Sequence, residues 1–388
     1  MNTTHMDRAP QCESGQLVLE EPRVQVAIWE DVEAAIQGHH HNPDLQAAKA
    51  FSAAMAAHRL TGAPVWPMLV APPGSMKTHL IGGFDGLPGV HLIDQLTPQT
   101  FISGQLEEPG SKRTVPASLL HRIGADGIII YPDFSTVLAM KHEKKASILA
   151  DMRRIFDGEI RKEFGTSQSV AERQWKGRIT FGVAVTPAID EHYSIFQTLG
   201  ERFVMIRWPR AGGVEAALAA MNQEHGTAKE VLKQAIHGLF SSLPIVEPRI
   251  PEEYQLKIAA LTEIVVRGRT HVPRNGYNKD IIYVPEPESA TRLAQQLAQL
   301  AKGCALISGR DTVAEEDYVI VRRVGLDCLP PTRRKILACL IAGDSLDTLA
   351  LPKSSLSYAK EELEAQELMH DGGLSCLATQ LIADHQLF

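Results

Sequence analysis

Residues 64–80 read PVWPMLVAPPGSMKTHL, and the interpretation of the whole chain starts from them. An apolar run, Met68 to Val70, enters a turn of small residues and prolines, and a helical pattern opens at Met76. Phosphate-binding loops of the G-x-x-x-x-G-K-[ST] type have this layout: backbone N–H groups cradle the phosphates, the lysine binds their oxygens and the hydroxyl reaches Mg²⁺. The pattern predicts a nucleotide site formed by Pro73, Gly74, Ser75, Met76, Lys77, Thr78 and His79, with Thr78 as a Mg²⁺ ligand.

This stretch departs from the full pattern at both framework glycines, which are replaced by Ala71 and Met76. Methionine has a Cβ and a long side chain where such a loop usually needs the backbone freedom of glycine. A strand-turn-helix junction with an incidental Lys-Thr pair explains the stretch alone equally well. The rest of the chain has to decide between the two interpretations.

Composition narrows the class of protein. The chain has 388 residues, enough for two or three domains, and its formal net charge of -7 argues against non-specific coating of nucleic acid. It contains no apolar run long enough for a bilayer and no basic-then-apolar signal pattern at the N-terminus. Its five cysteines are scattered without zinc-site spacing. We therefore expect a cytoplasmic protein with reduced, buried cysteines and no membrane contact.

A second informative stretch is residues 127–136, GIIIYPDFST. The isoleucines predict a fully buried parallel strand, with Asp133 at its carboxyl end, where open α/β sheets place their chemistry. The stretch is similar to a Walker B strand but has one carboxylate instead of two. Two registers stay open: Asp133 is the Mg²⁺ residue and Phe134 replaces the base, or Pro132 replaces the Mg²⁺ residue and Asp133 is the base.

The remaining pattern predicts an α/β domain followed by helices. We expect a helix over 45–60 capped by Asp44, strands at 90–93, 179–185 and 204–208, and a helical stretch over 135–164 followed by a possible hairpin over 165–177. Thr186 comes directly after the strand at 179–185. From residue 213 the pattern is helical, and residues 332–342, 345–349 and 354–369 with a strand-like 370–381 suggest a winged helix-turn-helix.

These predictions divide the chain into four parts. They are an N-terminal leader with a short helix (1–43), a nucleotide-binding α/β domain (44–212), a helical lid (213–330) and the C-terminal winged helix (331–388).

The motifs taken together, in this order over roughly residues 45–330, resemble those of AAA+ ATPases. The resemblance is to helicase-related members found in phages and mobile elements, with a lid and winged helix similar to those of mini-chromosome maintenance helicases. The motifs that carry it are PVW to KT (64–78), I-x-x-L-T-P (93–98), DFST (133–136), WKGR with the following strand (175–183), GERF (200–203), VPRN (272–275) and E-x-x-x-R-L (288–293).

The resemblance implies a ring homo-oligomer, expected to be a hexamer, that binds ATP and Mg²⁺ between subunits and threads single-stranded DNA past loops near 168–176. It implies catalytic roles for Asp133, for Thr186 as sensor 1, for Arg202 as an arginine finger and for Arg292 as sensor 2. Arg267, Arg269 and Arg274 are candidates for further contacts between subunits. Less favoured alternatives from the residues alone are that Arg202 is a structural strand-edge residue and that Arg292 forms surface ion pairs with Glu286 and Glu288.

The candidate recognition helix of the C-terminal domain is acidic, with Lys360 beside Glu361, Glu362, Glu364 and Glu367. A helix that enters the major groove presents Arg, Lys, Asn or Gln to phosphates and bases. We therefore expect this helix to contact protein, or the lid of its own ring. Two functions follow: an ATPase that acts on DNA in replication or mobilisation of a phage or mobile element, or a nucleotide-gated assembly protein with little hydrolysis that docks a partner through this helix.

Overall fold

The structure, a computed structural model, describes residues 28–103, 118–165, 170–192, 201–210, 212–221 and 225–388. The expected leader before residue 28, Cys12, Gly200 of the GERF motif and the loop around Gln168 lie outside the described residues. Within these ranges no helix is both long enough and apolar enough to cross a membrane.

Five parallel strands form the central sheet, in the order β2-β3-β6-β1-β7. Their bounds are Trp66–Val70 (β1), Val90–Leu92 (β2), Asp126–Tyr131 (β3), Arg178–Val185 (β6) and Phe203–Arg207 (β7). Val70 pairs with Val185 on one side and with Arg207 on the other. Because β6 lies between β1 and β3, the segments that follow these three strands leave the sheet side by side.

Strands β1, β3, β6 and β7 agree with the sequence prediction because they are largely apolar runs whose residues are mostly buried, whereas β2, at the edge of the sheet, is half-buried. Every residue of β1 is buried, and the Trp66 indole donates to the Ile179 carbonyl at 2.7 Å. The rings of Phe156, Phe181 and Phe203 surround Trp66, with centroids 5.1 to 5.5 Å away. The aromatic cluster therefore ties β1, β6 and β7 to the helix that carries Phe156.

Six helices belong to the first half of the described chain: Trp29–His39 (α1), Leu45–Ala56 (α2), Lys77–Gly82 (α3), Leu119–Ile123 (α4), Ser135–Leu138 (α5) and His142–Phe156 (α6). The Asp44 carboxylate caps α2 by accepting from the Ala47 amide at 3.0 Å, as predicted. The helix ends earlier than expected, since a 3₁₀ turn takes over at Ala57–Arg59.

The helical stretch predicted over 135–164 begins at Ser135 as expected, but it is interrupted after Leu138 and ends at Phe156. It is divided into α5 and α6, and the chain turns at Asp157 and Gly158, where Gly158 adopts a φ of 86° that favours glycine. Strands Glu159–Gly165 (β4) and Val170–Lys176 (β5) then form an antiparallel hairpin in which Ile160 pairs with Trp175. A hairpin is thus present near the expected place, but it begins six residues earlier than residue 165.

In the described residues after β7, the helices up to residue 327 are Val214–Met221 (α7), His225–Ser242 (α8), Glu252–Arg269 (α9), Thr291–Ile307 (α10) and Glu315–Asp327 (α11). Helix α10 packs closely on α2, because a Cβ built on Gly303 would lie 2.3 Å from the Ala53 carbonyl oxygen. Helix α11 reaches the end of β7, where the Arg207 amide donates to Asp327 Oδ2 at 2.8 Å. Helices α10 and α11, which belong to the expected lid, are therefore packed on the α/β part of the chain.

The C-terminal part consists of Pro331–Ile341 (α12), a 3₁₀ turn at Leu346–Thr348, Lys353–Ala365 (α13), the short strands Met369–His370 (β8) and Gly373–Leu374 (β9), and Cys376–His385 (α14). The strand-like prediction over 370–381 is wrong after Leu374. Ser375 begins a helix instead, since its hydroxyl accepts from the Ala378 amide at 3.1 Å. Cys376 is exposed, contrary to expectation, whereas Cys304, Cys328 and Cys339 are buried.

Candidate functional site

The predicted phosphate-binding loop leaves the carboxyl end of β1. The Ala71 amide continues the sheet by donating to the Val185 carbonyl at 3.0 Å, and the Ser75 amide closes a turn on the Pro72 carbonyl at 3.3 Å. Gly74, at the tip, has a φ of 74°. Glycine therefore stands at a loop position whose backbone favours it.

Met76, which stands where the sequence pattern has a second glycine, has ordinary backbone angles. Its φ of -65° and ψ of -2° are accessible to any L-residue, and its side chain is buried in the hydrophobic core. Glycine is therefore not required at this position in this loop. The sequence-based objection to Met76 does not apply to the backbone seen here.

The Lys77 side chain extends toward the start of the loop, where its Nζ donates to the Ala71 carbonyl at 3.0 Å. Burial lowers the pKa of Lys77, and the negative charge of Asp133 partly opposes this shift. Thr78 is exposed in the next position. Ser75 Oγ is buried and has no hydrogen-bond partner within the described residues. A phosphate oxygen would supply the acceptor that this hydroxyl lacks, so the loop residues fit a phosphate group.

Asp133 lies two residues beyond β3 and is exposed, with Oδ1 accepting from the Ser135 amide at 3.1 Å. The Phe134 ring is fully buried, 6.0 Å from the Phe203 ring between centroids. The strand ends at Tyr131, which is the boundary assumed in the second of the two registers. Asp133 is the only carboxylate of residues 127–136, so it is the one available there for holding Mg²⁺ or for polarising water.

Thr186 follows β6 and lies between the loop after β1 and the segment after β3. Its Oγ1 is 3.5 Å from Ser135 Oγ, which also accepts from the Thr186 amide at 3.4 Å. Ser135 was not among the predicted site residues. Its position two residues after Asp133 in a hydroxyl-rich segment was the available signal, but only the sheet order brings it to Thr186.

A histidine pair joins the N-terminal helix to the loop helix. His79 Nδ1 lies 3.4 Å from His40 Nε2, and burial together with the neighbouring charges of His79 and His39 lowers the pKa of His40 to about 4. His40 is therefore neutral near pH 7. No three His, Cys, Asp or Glu side chains in the described ranges are grouped closely enough to hold a metal ion by themselves.

A surface cavity of about 580 Å³ opens beside this pair. It is lined by the segment around His41 and Asn42 and by Trp208, Arg210 and Glu215, which follow β7. The Trp208 amide donates to the Val70 carbonyl at 2.9 Å, so the cavity adjoins the start of the loop. No residue of 71–79 lines the cavity, which therefore lies next to the loop and not within it.

Arg202 and Arg292 lie together at the opposite edge of the sheet. Arg202 precedes β7, and its carbonyl accepts from Gln296 of α10, the helix on which Arg292 lies, at 2.7 Å. Burial lowers the pKa of Arg202, and the positive charge of Arg292 adds to the shift. Strand β7 is parallel to β1 and five residues long, so about 16 Å separates this edge from the loop. Within one chain neither arginine is at the loop.

The Arg202 guanidinium is engaged inside the chain. Its Nη2 donates to both carboxylate oxygens of Asp157 at 3.0 Å, and its side chain is 9% exposed. Arg292 is more accessible and lies 3.7 Å from Glu288 Oε2. Contact between Arg202 and a neighbouring subunit therefore requires its ion pair with Asp157 to open.

The three arginines considered for further contacts between subunits also have partners within the chain. Arg269 is buried between Glu201 and Glu288, and Arg267 bonds Glu263 and Glu367. Arg274 donates to Glu361 and Glu362 of α13 at 2.9 Å. The acidic face of α13 thus contacts the preceding helical part of its own chain, which is one of the two contacts expected from its charge.

Comparison of the chain with protein-family models and with curated protein sequences finds no match.

Proposed function

We propose that this chain is a cytoplasmic, ring-forming AAA+ ATPase that binds ATP and Mg²⁺ between subunits and acts on DNA, in replication or mobilisation of a phage or mobile element. The observation that supports it most is the grouping of loop 71–76, Thr186 and Asp133 at one edge of the sheet, with Lys77 electrostatically coupled to Asp133. Sequence order alone separates these residues by more than a hundred positions.

In this proposal the residues at the carboxyl edge of the sheet have separate roles. Lys77 and the loop amides hold the phosphates, and Thr78 and Asp133 hold Mg²⁺, which neutralises phosphate charge when it is bound. Thr186 and Ser135 orient the attacking water, and Asp133 is the candidate to polarise it. A single carboxylate for both tasks predicts slow hydrolysis, because one general base contributes about 10²- to 10⁴-fold in rate.

The proposed ring depends on the two arginines at the amino edge of the sheet. Arg202 and Arg292 are too far from the loop of their own chain, but they would meet the loop of a neighbour in a head-to-tail arrangement. An arginine at that position stabilises the negative charge that develops on the transferred phosphoryl group.

A second candidate function is a nucleotide-gated assembly protein with little hydrolysis. The lone Asp133 and the buried Phe134 favour it, since residues 127–136 contain no second carboxylate. In that case nucleotide binding would order the subunits, and the C-terminal part would dock a protein partner.

The test is ATP binding and turnover by the purified chain, with and without single-stranded DNA. We expect Lys77→Ala to weaken ATP binding about 10- to 100-fold, since it removes a charged hydrogen bond. Lys335→Ala, at an exposed position of α12, is the matched control and should bind ATP as the wild type does.

DNA-stimulated turnover that Lys77→Ala abolishes would support the motor function. Tight ATP binding with negligible turnover would favour the assembly protein. Unchanged ATP affinity in Lys77→Ala would contradict both candidates, because the lysine would then not belong to a nucleotide site.

A further inference from the structure

A groove opens between α9 and α10 and has a volume of about 790 Å³. Small and aliphatic side chains form much of its wall, namely Ala259, Ala294, Ala298, Ile250 and Ile258. Gly62 and Ala63 close one end, and the Lys302–Glu247 ion pair, at 2.7 Å, closes another. A groove of this kind between two helices accommodates a third helix by the packing of ridges into grooves.

One polar side chain of the groove, Gln299, ties α10 to the segment that precedes β1. Gln299 is 9% exposed and lines the groove, and its Nε2 donates to the Thr61 carbonyl at 2.8 Å. Its Oε1 is buried and has no hydrogen-bond partner among the residues that the structure describes. Because Oε1 itself is enclosed, it lies beneath the wall of the groove, and the surface open to another molecule is the aliphatic one.

Helix α7 presents a complementary surface. Val214, Leu218 and Met221 are 76%, 52% and 79% exposed, and their spacing of four and three residues puts them on one face of the helix. Contiguous exposed apolar side chains mark interaction surfaces. We call these three residues the α7 stripe.

The α7 stripe and the groove lie at opposite edges of the sheet. Helix α7 follows the carboxyl end of β7, and Glu215 at its start is 3.7 Å from His41, beside the cavity near the loop. The groove adjoins Thr61 and Gly62, which precede the amino end of β1. The two surfaces are therefore placed to meet between copies of the chain.

We propose that the α7 stripe of one copy docks in the α9–α10 groove of the next. The stripe extends about 10 Å along α7, and the groove follows α10 from Ala294 to Lys302 for about 12 Å, so their lengths match. An apolar patch that fits a pocket elsewhere on the same molecule makes head-to-tail contacts, which form a ring when the rotation between copies closes and a filament when it does not. This contact rests on the proposed function, because the same arrangement brings the loop of one copy to Arg202 and Arg292 of the next.

The first test is the mass of the ATP-bound protein in solution, by sedimentation velocity. We expect Val214→Lys with Met221→Lys, and separately Ala298→Trp, which fills the groove, to weaken self-association at least 10-fold. The stripe residues are exposed, so their substitution should leave the melting temperature unchanged. Tyr277→Lys, a matched substitution at another exposed apolar position, should assemble as the wild type does.

A mixture of the two disrupted proteins is a sharper test. Each variant keeps one intact surface, so equal amounts should form a one-to-one dimer and nothing larger. In that dimer only the groove-filled chain has its loop at the interface. Lys77→Ala in the groove-filled chain should then abolish the turnover of the mixture, whereas Lys77→Ala in the stripe variant should not.

The outcomes separate the docking contact from the proposed function. If both variants assemble like the wild type while ATP binding is intact, or if the mixture forms no dimer, the docking contact is wrong and the nucleotide site stands. If the wild type binds ATP but stays monomeric, both the contact and the ring fail. Loss of assembly in Tyr277→Lys as well would also overturn the contact, because the effect would not be specific to the stripe.

Discussion

Glu201 shows how far burial can shift the pKa of a single side chain. It has a φ of 48°, unusual for a residue other than glycine, and its carboxyl group is buried against Arg269 and Glu288. Burial raises the pKa of Glu201 to about 7; Arg269 opposes the shift and Glu288 adds to it. The protonated form of Glu201 is therefore favoured in the folded chain below about pH 7, next to Arg202 and Arg292.

This shift predicts a pH dependence of stability. The contribution of Glu201 is fully present below its ordinary pKa of 4.5 and is lost as the pH rises through about 7. The free energy of unfolding of Glu201→Gln, measured with urea, should therefore lack part of the decrease that the wild type shows over this interval. The difference is at most about 1.4 kcal/mol per pH unit.

Glu364→Gln, at an exposed position of α13, serves as the control and should follow the wild type. Parallel pH profiles for Glu201→Gln and the wild type would show that Glu201 titrates normally in the folded chain.

Three of the site residues that the sequence predicted, Lys77, Asp133 and Thr186, each follow a strand or open a helix. Lys77, Asp133 and Thr186 could be found because buried strands are readable as apolar runs and their carboxyl ends form one edge of the sheet. His40 and Ser135 could not be assigned, since their roles depend on tertiary contacts with His79 and Thr186.

At the scale of elements, the packing of α10 on α2 depends on glycine. A Cβ on Gly303 would lie 2.3 Å from the Ala53 carbonyl oxygen and 3.1 Å from the Ala57 Cβ, so the two helices would have to separate. The sequence predicted both helices from their periodicity but contained no sign of how closely they approach. The same limit explains the turn at Gly158, which tertiary pairing of β4 with β5 enforces against a helical pattern.

We therefore expect Gly303→Ala to lower the free energy of unfolding by about 1–3 kcal/mol, through overpacking at this contact. Gly38→Ala in α1 is the matched control, because no atom lies within 4 Å of the added Cβ. Alanine there should be neutral or stabilising by up to about 1 kcal/mol. Urea denaturation of both variants measures the difference, and equal midpoints would mean that the helices separate without loss of packing.

At the scale of the whole molecule, the C-terminal part is attached through buried charge. Arg333 donates to the Gly268 and Thr270 carbonyls at 2.9 and 2.6 Å and to Glu362 Oε2 at 2.7 Å. Arg274 reaches the other oxygen of Glu362. The helices on each side were predictable from sequence, but these contacts join residues 29 to 88 positions apart and were not.

Replacing Arg333 should loosen this attachment. Arg333→Met leaves Glu362 and two carbonyls without one of their partners, and breaking such a buried pair costs about 3–5 kcal/mol. We expect faster amide hydrogen exchange in α12 and α13, with the sheet unchanged. Lys335→Met, an exposed neighbour on α12, is the control. Unchanged exchange in Arg333→Met would show that apolar packing alone holds the C-terminal part in place.

Strand β7 has a consequence that reaches beyond one subunit. Arg202 stands before its first residue, and Trp208, which follows its last, lines the cavity beside the loop. The strand is extended, is hydrogen-bonded to β1 along its whole length and spans about 16 Å. In the proposed ring, a displacement of Arg202 by one neighbour's nucleotide would be transmitted along β7 to the cavity beside the subunit's own loop, without any change of fold. Successive nucleotide sites around the ring would then be coupled one to the next, and the order in which they hydrolyse ATP would follow the direction of β7.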